Sequence, residues 1–185
     1  MNCSVAPIKK PAVFLDRDGV INRKLPEGDY VKDWSEFSFL PGALRAIRIL
    51  KENGFLIAVI TNQRCIATGI ITEEGLKSIH ERMLYEIRRC GGDIDAIYFC
   101  PHDVSDGCVC RKPEPGMILR AIKDFKGHNI DIDLERSCVI GDSERDIIPA
   151  KVLGLKAIKI GEYSPKADIN KRDLLEAVEA IIECD

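Results

Sequence analysis

The stretch AVFLDRDGV, residues 12–20, decides the fold of this 185-residue chain. Its first four residues are apolar and lead without interruption into Asp16, a pattern typical of a strand buried inside a parallel sheet. Gly19 allows a sharp turn soon after the strand. The stretch therefore predicts a buried strand over 12–16, with the carboxylates of Asp16 and Asp18 at its C-terminal end.

Outside this stretch, apolar runs and amphipathic segments alternate along the chain. The apolar runs predict strands at 55–60, 94–99, 137–140 and 156–160. The amphipathic segments predict one helix that starts at Pro41 and stops before Gly54, and further helices at 72–90, 115–126, 144–153 and 171–183. This alternation predicts an α/β fold, a Rossmann-like three-layer sandwich with a mostly parallel sheet. The length predicts a single domain over residues 1–185.

Composition and charge exclude several classes of protein. Hydrophobic residues make up 45% of the chain, and 30 acidic residues against 27 basic ones give a net charge of −3. These values argue against disorder and against a nucleic-acid binder, which usually carries a basic excess. No apolar run approaches the roughly 20 residues of a membrane helix, and the N-terminal residues do not resemble a signal peptide. We expect a cytoplasmic monomer that contacts neither nucleic acid nor a membrane.

Polar residues stand at the C-terminal ends of the predicted strands, where parallel sheets bind their ligands. They are Asp16, Asp18, Thr61, Asn62, Cys100, His102 and Asp142. A carboxylate can attack phosphorus, and a second one two residues on can protonate the leaving oxygen and later deprotonate a water. Asp142 could complete a Mg²⁺ site, and Lys112 could neutralise charge on the phosphoryl group. For Asp-x-Asp alone, a turn that caps the sheet edge is the alternative.

Four motifs resemble those of the haloacid dehalogenase superfamily of phosphatases. They occur in the superfamily's order, as DRDGV at 16–20, TNQ at 61–63, RKP at 111–113 and GDSERD at 141–146. The resemblance implies that Asp16 is the nucleophile and Asp18 the general acid and base. It implies that Thr61 and Lys112 stabilise the phosphoryl group, and that Mg²⁺ is held by Asp16, the backbone oxygen of Asp18, and Asp142. Substrate contacts are expected from Asp16, Arg17, Asp18, Asn62, Gln63, Arg64, Arg111 and Ser143.

The cysteines indicate a second metal site. There are eight of them, Cys3, Cys65, Cys90, Cys100, Cys108, Cys110, Cys138 and Cys184. Three thiolates and one imidazole, from Cys100, His102, Cys108 and Cys110, fit a closed tetrahedral zinc site. The alternatives are two disulfides, which a reducing cytoplasm disfavours, or free thiols beside a chance histidine. A zinc-binding loop over 100–110 would fix the two cations that follow it, Arg111 and Lys112, over the phosphate site.

The remaining thiols and histidines are interpreted as structural residues. Cys90 ends a predicted helix and Cys138 lies within a predicted strand, so neither is expected to react. A redox role is the alternative for Cys65, which lies near the expected phosphate loop. His80 and His128 are expected on a helix face and in a turn.

The zinc loop narrows the resemblance to a capless branch of the superfamily. With DYV at 29–31 and CRKPEPGM at 110–117, the chain resembles the heptose-bisphosphate phosphatases, and the histidinol-phosphate phosphatases share this framework. About 22 residues separate Asp18 from the helix at Pro41, too few for a separate cap domain. The resemblance implies an open site for a small phosphorylated substrate. D-glycero-D-manno-heptose 1,7-bisphosphate, hydrolysed at the 7-phosphate, is the expected one.

Several alternatives stay open at the level of sequence. Histidinol phosphate would undergo the same chemistry, whereas the acidic balance disfavours a nucleic-acid 3′-phosphatase and the intact aspartates disfavour a non-catalytic zinc-bound adaptor. Arg64, Cys65, Thr68 and Ser143 depart from the family pattern, in loops expected to touch the substrate. Arg64 is either a partner for a second anion or a solvated arginine. Asp146 either supports the metal site or is a charge favoured at a helix N-terminus.

Overall fold

The computed structural model describes residues 6–183 and confirms the α/β fold class. Its strands are β1 (Ile8–Lys10), β2 (Ala12–Leu15), β3 (Leu56–Asn62), β4 (Ala96–Cys100), β5 (Ile130–Ile132), β6 (Cys138–Gly141), β7 (Lys156–Ile160) and β8 (Ile169–Lys171). Its helices are α1 (Ala43–Glu52), α2 (Glu73–Arg89), α3 (Gly116–Gly127), α4 (Glu144–Val152) and α5 (Leu174–Glu183). Cys3, Cys184 and the first residues of the N-terminal segment lie outside the described part.

Six strands form one parallel sheet in the order β4-β3-β2-β6-β7-β8. Successive residues of a strand point to opposite faces, and the central strand β2 shows the consequence. Val13 and Leu15 belong to a hydrophobic cluster with residues of α1, α2 and α5, whereas Ala12 and Phe14 belong to a second cluster with residues of α3 and α4. The sheet therefore lies between two layers of helices, as the apolar runs of the sequence predict.

The shortest strands and some helix ends differ from the sequence-based expectation. β1 and β5 pair in parallel as a separate two-stranded sheet, and β8 extends the main sheet at the edge, although none of the three was predicted. The helix expected from Pro41 begins at Ala43, because Gly42 before it takes a left-handed backbone with φ 79°. The helix expected from 171 begins at Leu174, since residues 169–171 form β8.

The chain between the strands leaves the C-terminal edge of the sheet without a cap domain. The segment between β2 and α1 is a loop with one short 3₁₀ turn, Trp34–Glu36, and α2 is the one helix between β3 and β4. The predicted capless architecture is therefore confirmed. Within residues 6–183, none of the helices is long and apolar enough to cross a membrane.

Candidate active site

Asp16 follows β2 directly and faces a buried lysine. The Nζ atom of Lys112 lies 2.9 Å from Oδ1 of Asp16 and 2.6 Å from Oδ1 of Asp146, and it donates a hydrogen bond to the backbone oxygen of Ile60 at 2.8 Å. Burial would lower the pKa of Lys112, but the two nearby carboxylates outweigh it and the pKa is raised. Lys112 is therefore a fixed positive charge beside Asp16.

The charge of this lysine does not balance the carboxylates around it. Burial raises the pKa of Asp16 to about 7; Lys112 opposes the rise, whereas Asp146 and Asp18 add to it. A further cation next to Asp16 would favour its ionised form, which is the form that can attack phosphorus.

Asp142 supplies the second carboxylate that the sequence predicts for a cation site. Carboxylate oxygens of Asp16, Asp142 and Asp146 lie within 4.8 Å of one another, and Oδ1 of Asp142 is buried with no hydrogen-bond partner in the described structure. Residue 19 must be glycine for this approach, because its φ is +89° and a Cβ there would lie 2.4 Å from Oδ2 of Asp142. Hard oxygen ligands, one of them unpartnered, fit Mg²⁺.

Asp146 lies at the N-terminus of a helix and close to the two carboxylates of the candidate cation site. It lies in the first turn of α4, where its Oδ2 accepts hydrogen bonds from the backbone nitrogen of Ser143 at 3.0 Å and from Oγ of Ser143 at 2.6 Å. Its Oδ1 pairs with Lys112. Asp146 thus caps a helix and pairs with Lys112 at the same time.

The carboxylate of Asp18 is held by several donors. Nε of Arg17 donates to Oδ1 at 3.3 Å, and Nη2 donates to both oxygens at 3.0 Å. Nδ2 of Asn22 donates to Oδ1 at 2.9 Å, and Nε2 of Gln63 donates to Oδ2 at 2.9 Å. Burial would raise the pKa of Asp18, but Arg17 and the amide donors outweigh it and lower the pKa. The carboxylate form of Asp18 is thus favoured.

Residues at and just after the end of β3 form hydrogen bonds to Asp18 and to the backbone of Lys112. Thr61 is buried, and its Oγ1 accepts a hydrogen bond from Nε2 of Gln63 at 2.8 Å. Gln63 is only 1% exposed and spans Thr61 and Asp18, so it is placed to support them from behind rather than to touch the substrate. Asn62 lies at the cavity wall and bonds the backbone of Lys112.

The four predicted zinc ligands lie together. The sulfur atoms of Cys100, Cys108 and Cys110 are 3.3 to 3.5 Å apart, and Nδ1 of His102 lies 3.5 Å from the sulfur of Cys100 and 3.2 Å from that of Cys110. A disulfide would need about 2.05 Å, and the three cysteines are free thiols. Tetrahedral zinc with bonds of about 2.3 Å spaces its sulfur ligands by about 3.8 Å. Small outward shifts would complete such a site.

The loop that carries these ligands is packed onto α3. A Cβ at Gly116, the first residue of the helix, would lie 2.2 Å from the backbone oxygen of Val109. Nη1 of Arg111 donates to the backbone oxygen of His102 at 3.2 Å. Arg111 and Lys112 thus follow the cysteine cluster directly in the chain and lie at the candidate active site.

A cavity of about 500 Å³ opens above Asp16. Its lining includes the predicted residues Asp16, Arg17, Asp18, Thr61, Asn62, Arg64, Arg111, Lys112, Asp142 and Ser143. Two further cations line it, Lys24 and Arg145. Lys24 donates from Nζ to Oδ2 of Asp142 at 2.6 Å. Arg145 belongs to the GDSERD motif. Its position in the first turn of α4 places it at the cavity, and the motif alone does not predict this.

The positively charged side chains of the cavity differ in whether a carboxylate already forms an ion pair with them. Nε of Arg64 donates to Oδ2 of Asp103 at 2.8 Å, so much of its charge is already matched. Among residues 6–183, no carboxylate forms an ion pair with Arg111 or Arg145. These two guanidinium groups are therefore the ones available to an anion in the cavity.

The fold and the site together define a class of hydrolase. Residues 9–154 match the family described as haloacid dehalogenase-like hydrolase. The chain belongs to this family, which confirms the resemblance carried by the four motifs.

Individual relatives carry more specific names than the family does. The chain is 40% identical to the D-glycero-beta-D-manno-heptose-1,7-bisphosphate 7-phosphatase of Vibrio cholerae, over 79% of this chain and 78% of the relative. It is 41% identical to the D-glycero-alpha-D-manno-heptose-1,7-bisphosphate 7-phosphatase of Mycobacterium tuberculosis, over 73% and 68%. The solved D,D-heptose 1,7-bisphosphate phosphatase of B. bronchiseptica, complexed with magnesium and phosphate, superposes with a TM-score of 0.85 at 31% identity, covering 95% of this chain and 99% of that one. These comparisons confirm the predicted phosphatase class.

Proposed function

We propose that this enzyme hydrolyses D-glycero-D-manno-heptose 1,7-bisphosphate at its 7-phosphate. The observation that carries the proposal is the position of Asp16 and Lys112 at the floor of a cavity whose wall offers two guanidinium groups that pair with no carboxylate of residues 6–183. One phosphate of a bisphosphate would meet Asp16 and Lys112, and the other would meet Arg111 and Arg145. The names of the relatives support the same substrate.

The residues at the floor divide the reaction between them. The carboxylate of Asp16 attacks phosphorus, the bond to the sugar oxygen breaks, and an aspartyl-phosphate forms. Asp18 gives its proton to the departing sugar oxygen; the arriving phosphate adds negative charge beside Asp18 and favours the protonated form that this step needs. Asp18 then takes a proton from the water that attacks the aspartyl-phosphate, which releases inorganic phosphate and restores Asp16. Lys112 and Thr61 stabilise charge on the phosphoryl oxygens.

Two metals belong to the proposal. Asp16, Asp142 and the backbone oxygen of Asp18 would hold Mg²⁺, in line with the unpartnered oxygen of Asp142. When bound, Mg²⁺ supplies positive charge that offsets the repulsion between the phosphate and the carboxylates. Cys100, His102, Cys108 and Cys110 would hold a structural zinc ion, since four protein ligands leave no open position.

We also propose that residues 1–185 act as one domain, as a monomer in the reducing cytoplasm. One sheet carries both hydrophobic clusters and the active site, which supports a single folding unit. The free thiols of Cys65, Cys90 and Cys138 fit a reducing compartment. Burial raises the pKa of the Cys65 thiol, which disfavours the redox role considered from the sequence.

A panel of phosphate esters tests the substrate. With Mg²⁺ present, we expect kcat/KM for heptose 1,7-bisphosphate to exceed that for heptose 7-phosphate or glucose 6-phosphate by at least about tenfold, with release of the 7-phosphate. Both anomers belong in the panel, because the relatives include enzymes named for each. Equal rates for bisphosphate and monophosphates would contradict the proposal. A preference for cationic histidinol phosphate would replace the substrate while leaving the chemistry in place.

A further inference from the structure

A buried arginine lies behind the proposed general acid and base. Arg17 is only 1% exposed and is the largest fully buried side chain in the described structure. A guanidinium ion costs much free energy to bury unless its charge and its N–H groups are matched. Asp18 matches the charge and accepts hydrogen bonds from Nε and Nη2. The remaining nitrogen, Nη1, lies on the side of the guanidinium group away from Asp18. Its N–H groups need another hydrogen-bond acceptor.

His80 is the partner of that remaining nitrogen. It projects from the middle of α2, 63 positions further along the chain, and is 6% exposed. Its Nε2 lies 3.0 Å from Nη1 of Arg17. Arginine can only donate, so Nε2 must carry a lone pair and the imidazole proton must be on Nδ1. Burial, together with the charge of Arg17, lowers the pKa of His80 to about 3, in agreement with a neutral ring.

The contacts form a chain from α2 to the reacting carboxyl. His80 accepts a hydrogen bond from Nη1 of Arg17, and on the opposite side the guanidinium group donates to both carboxylate oxygens of Asp18. Two parallel N–H donors fix both the position and the plane of a carboxylate. The orientation of Asp18 therefore depends on where the guanidinium plane lies, and His80 fixes that plane from the far side.

We propose that His80 is a positioning residue that acts through Arg17 to orient the carboxyl group of Asp18. The inference rests on the proposed function, because it takes Asp18 as the group that protonates the leaving oxygen. His80 itself is separated from the cavity by Arg17 and touches no reacting atom. Its contribution should therefore appear in proton transfer and not in binding of the phosphate.

Leaving-group dependence separates this role from a general structural one. Release of a sugar alkoxide needs a well-placed proton donor, whereas p-nitrophenolate leaves without one. His80→Leu removes the acceptor, and His80→Gln keeps one, since the Gln side-chain oxygen can take the place of Nε2. The two variants are of similar size and form a matched pair. The measured quantity is kcat/KM, which covers the steps up to formation of the aspartyl-phosphate.

We expect His80→Leu to lower kcat/KM for the best alkyl phosphate of the panel by about tenfold or more. For p-nitrophenyl phosphate the loss should stay within about threefold, and His80→Gln should stay within about threefold on both substrates. Equal losses on both substrates would overturn the inference in favour of a structural role, and no loss on either would overturn it as well. An enzyme that hydrolyses neither substrate would overturn the proposed function together with this inference.

The tautomer of His80 is a second test, and it needs no variant. Nitrogen-15 NMR of the labelled, unaltered enzyme at neutral pH should find Nε2 unprotonated and Nδ1 protonated. A proton on Nε2 would overturn the inference, because two donors would then face each other between His80 and Arg17. This measurement tests the hydrogen bond from Arg17 to His80, on which the inference depends, even if His80→Leu fails to fold.

Discussion

Asn62 and Lys112 exchange two hydrogen bonds across 50 positions of the chain. Nδ2 of Asn62 donates to the backbone oxygen of Lys112 at 3.1 Å, and the backbone nitrogen of Lys112 donates to Oδ1 of Asn62 at 3.0 Å. The pair ties the end of β3 to the segment that leaves the cysteine cluster. A second connection, from Arg64 to Asp103, joins the same two loops. The groups proposed to bind phosphate therefore depend on the fold of the loop that carries the cysteine cluster.

Replacing two of its ligands should expose this dependence. We expect the purified enzyme to contain about one zinc ion per chain, and Cys108→Ser combined with Cys110→Ser to abolish zinc binding. Displacement of Arg111 and Lys112 should then lower kcat/KM by about 100-fold, because small displacements of positioned groups carry large costs in rate. Elemental analysis and steady-state kinetics measure the two effects.

Cys90→Ser is the matched control for the double variant. Cys90 is an exposed free thiol at the end of α2, outside the cysteine cluster. It should keep its zinc and its activity. Retention of zinc by the double variant, or its absence from the unaltered enzyme, would reject the site.

The role proposed for Asp16 as the nucleophile can be tested by replacing one carboxylate oxygen with an amide nitrogen. Asp16→Asn should lower turnover by about 1,000-fold or more, because an amide cannot attack phosphorus. The fold should survive, since burial already raises the pKa of Asp16 to about 7 and a neutral side chain relieves that cost. Asp131→Asn, at an exposed position of β5, is the control and should be fully active. Turnover of Asp16→Asn within about tenfold of the unaltered enzyme would contradict the assignment.

His80 should make the stability of the protein sensitive to mild acid. Its pKa falls from 6.5 to about 3 on folding, so the unfolded chain binds the proton first. Stability is thus fully present above pH 6.5 and is lost as the pH falls from there towards 3, by up to about 1.4 kcal/mol per pH unit.

Any loss of zinc in mild acid would affect the unaltered protein and His80→Gln alike. The difference between their unfolding free energies therefore reports the protonation of His80. Both are to be measured by denaturant titration between pH 7 and 5. The stability of the unaltered protein should fall relative to that of His80→Gln as the pH drops. His128→Gln, at an exposed histidine, should show the slope of the unaltered protein. Parallel curves for the unaltered protein and His80→Gln would show that His80 is not held neutral.

The strands that the sequence predicts correctly are those whose local residue pattern is sufficient to define them. β2 and β6 are continuous apolar runs, so burial on both faces follows from composition. β1, β5 and β8 are three-residue segments with polar residues, IKK, IDI and INK, and they exist because a partner strand lies alongside. No local pattern carries that information, so these strands were not predicted.

The same distinction holds within the site. The proximity of Asp16 to Asp142, and of the four residues of the cysteine cluster to one another, could be predicted from the sequence, since strand ends of a parallel sheet converge and the four residues are close in the chain. The buried face of α2 could also be predicted, as His80 follows Leu76 at helical spacing. Its contact with Arg17 could not, because it joins two elements that are distant in sequence. The pairing of Arg64 with Asp103 is of the same kind.

The arginines of the cavity wall should decide between bisphosphate and monophosphate. A charge-assisted hydrogen bond contributes about 1.5–3 kcal/mol, or roughly 10- to 100-fold in kcat/KM. Arg111 and Arg145 line the cavity and have no carboxylate partner in the described part of the chain, so their charges are available to a distant phosphate. Nη1 of Arg111 also donates to the backbone oxygen of His102, which leaves its other N–H groups for the phosphate. Arg111→Ala and Arg145→Ala should each lower kcat/KM for heptose 1,7-bisphosphate by that factor, and should change it within about threefold for p-nitrophenyl phosphate.

Arg64→Ala serves as the matched comparison, because it removes a cation from the same cavity. Asp103 already occupies Nε of Arg64 at 2.8 Å, and a phosphate would have to compete with that ion pair. We therefore expect a loss for the bisphosphate that is several times smaller than for the other two arginines, in contrast to the second-anion role considered from the sequence. If Arg64→Ala lowers kcat/KM the most, the distant phosphate lies against the loop of the cysteine cluster and the ion pair with Asp103 opens on binding. If the bisphosphate keeps its advantage in all three variants, none of these cations binds the second phosphate, and the role proposed for Arg111 and Arg145 is wrong.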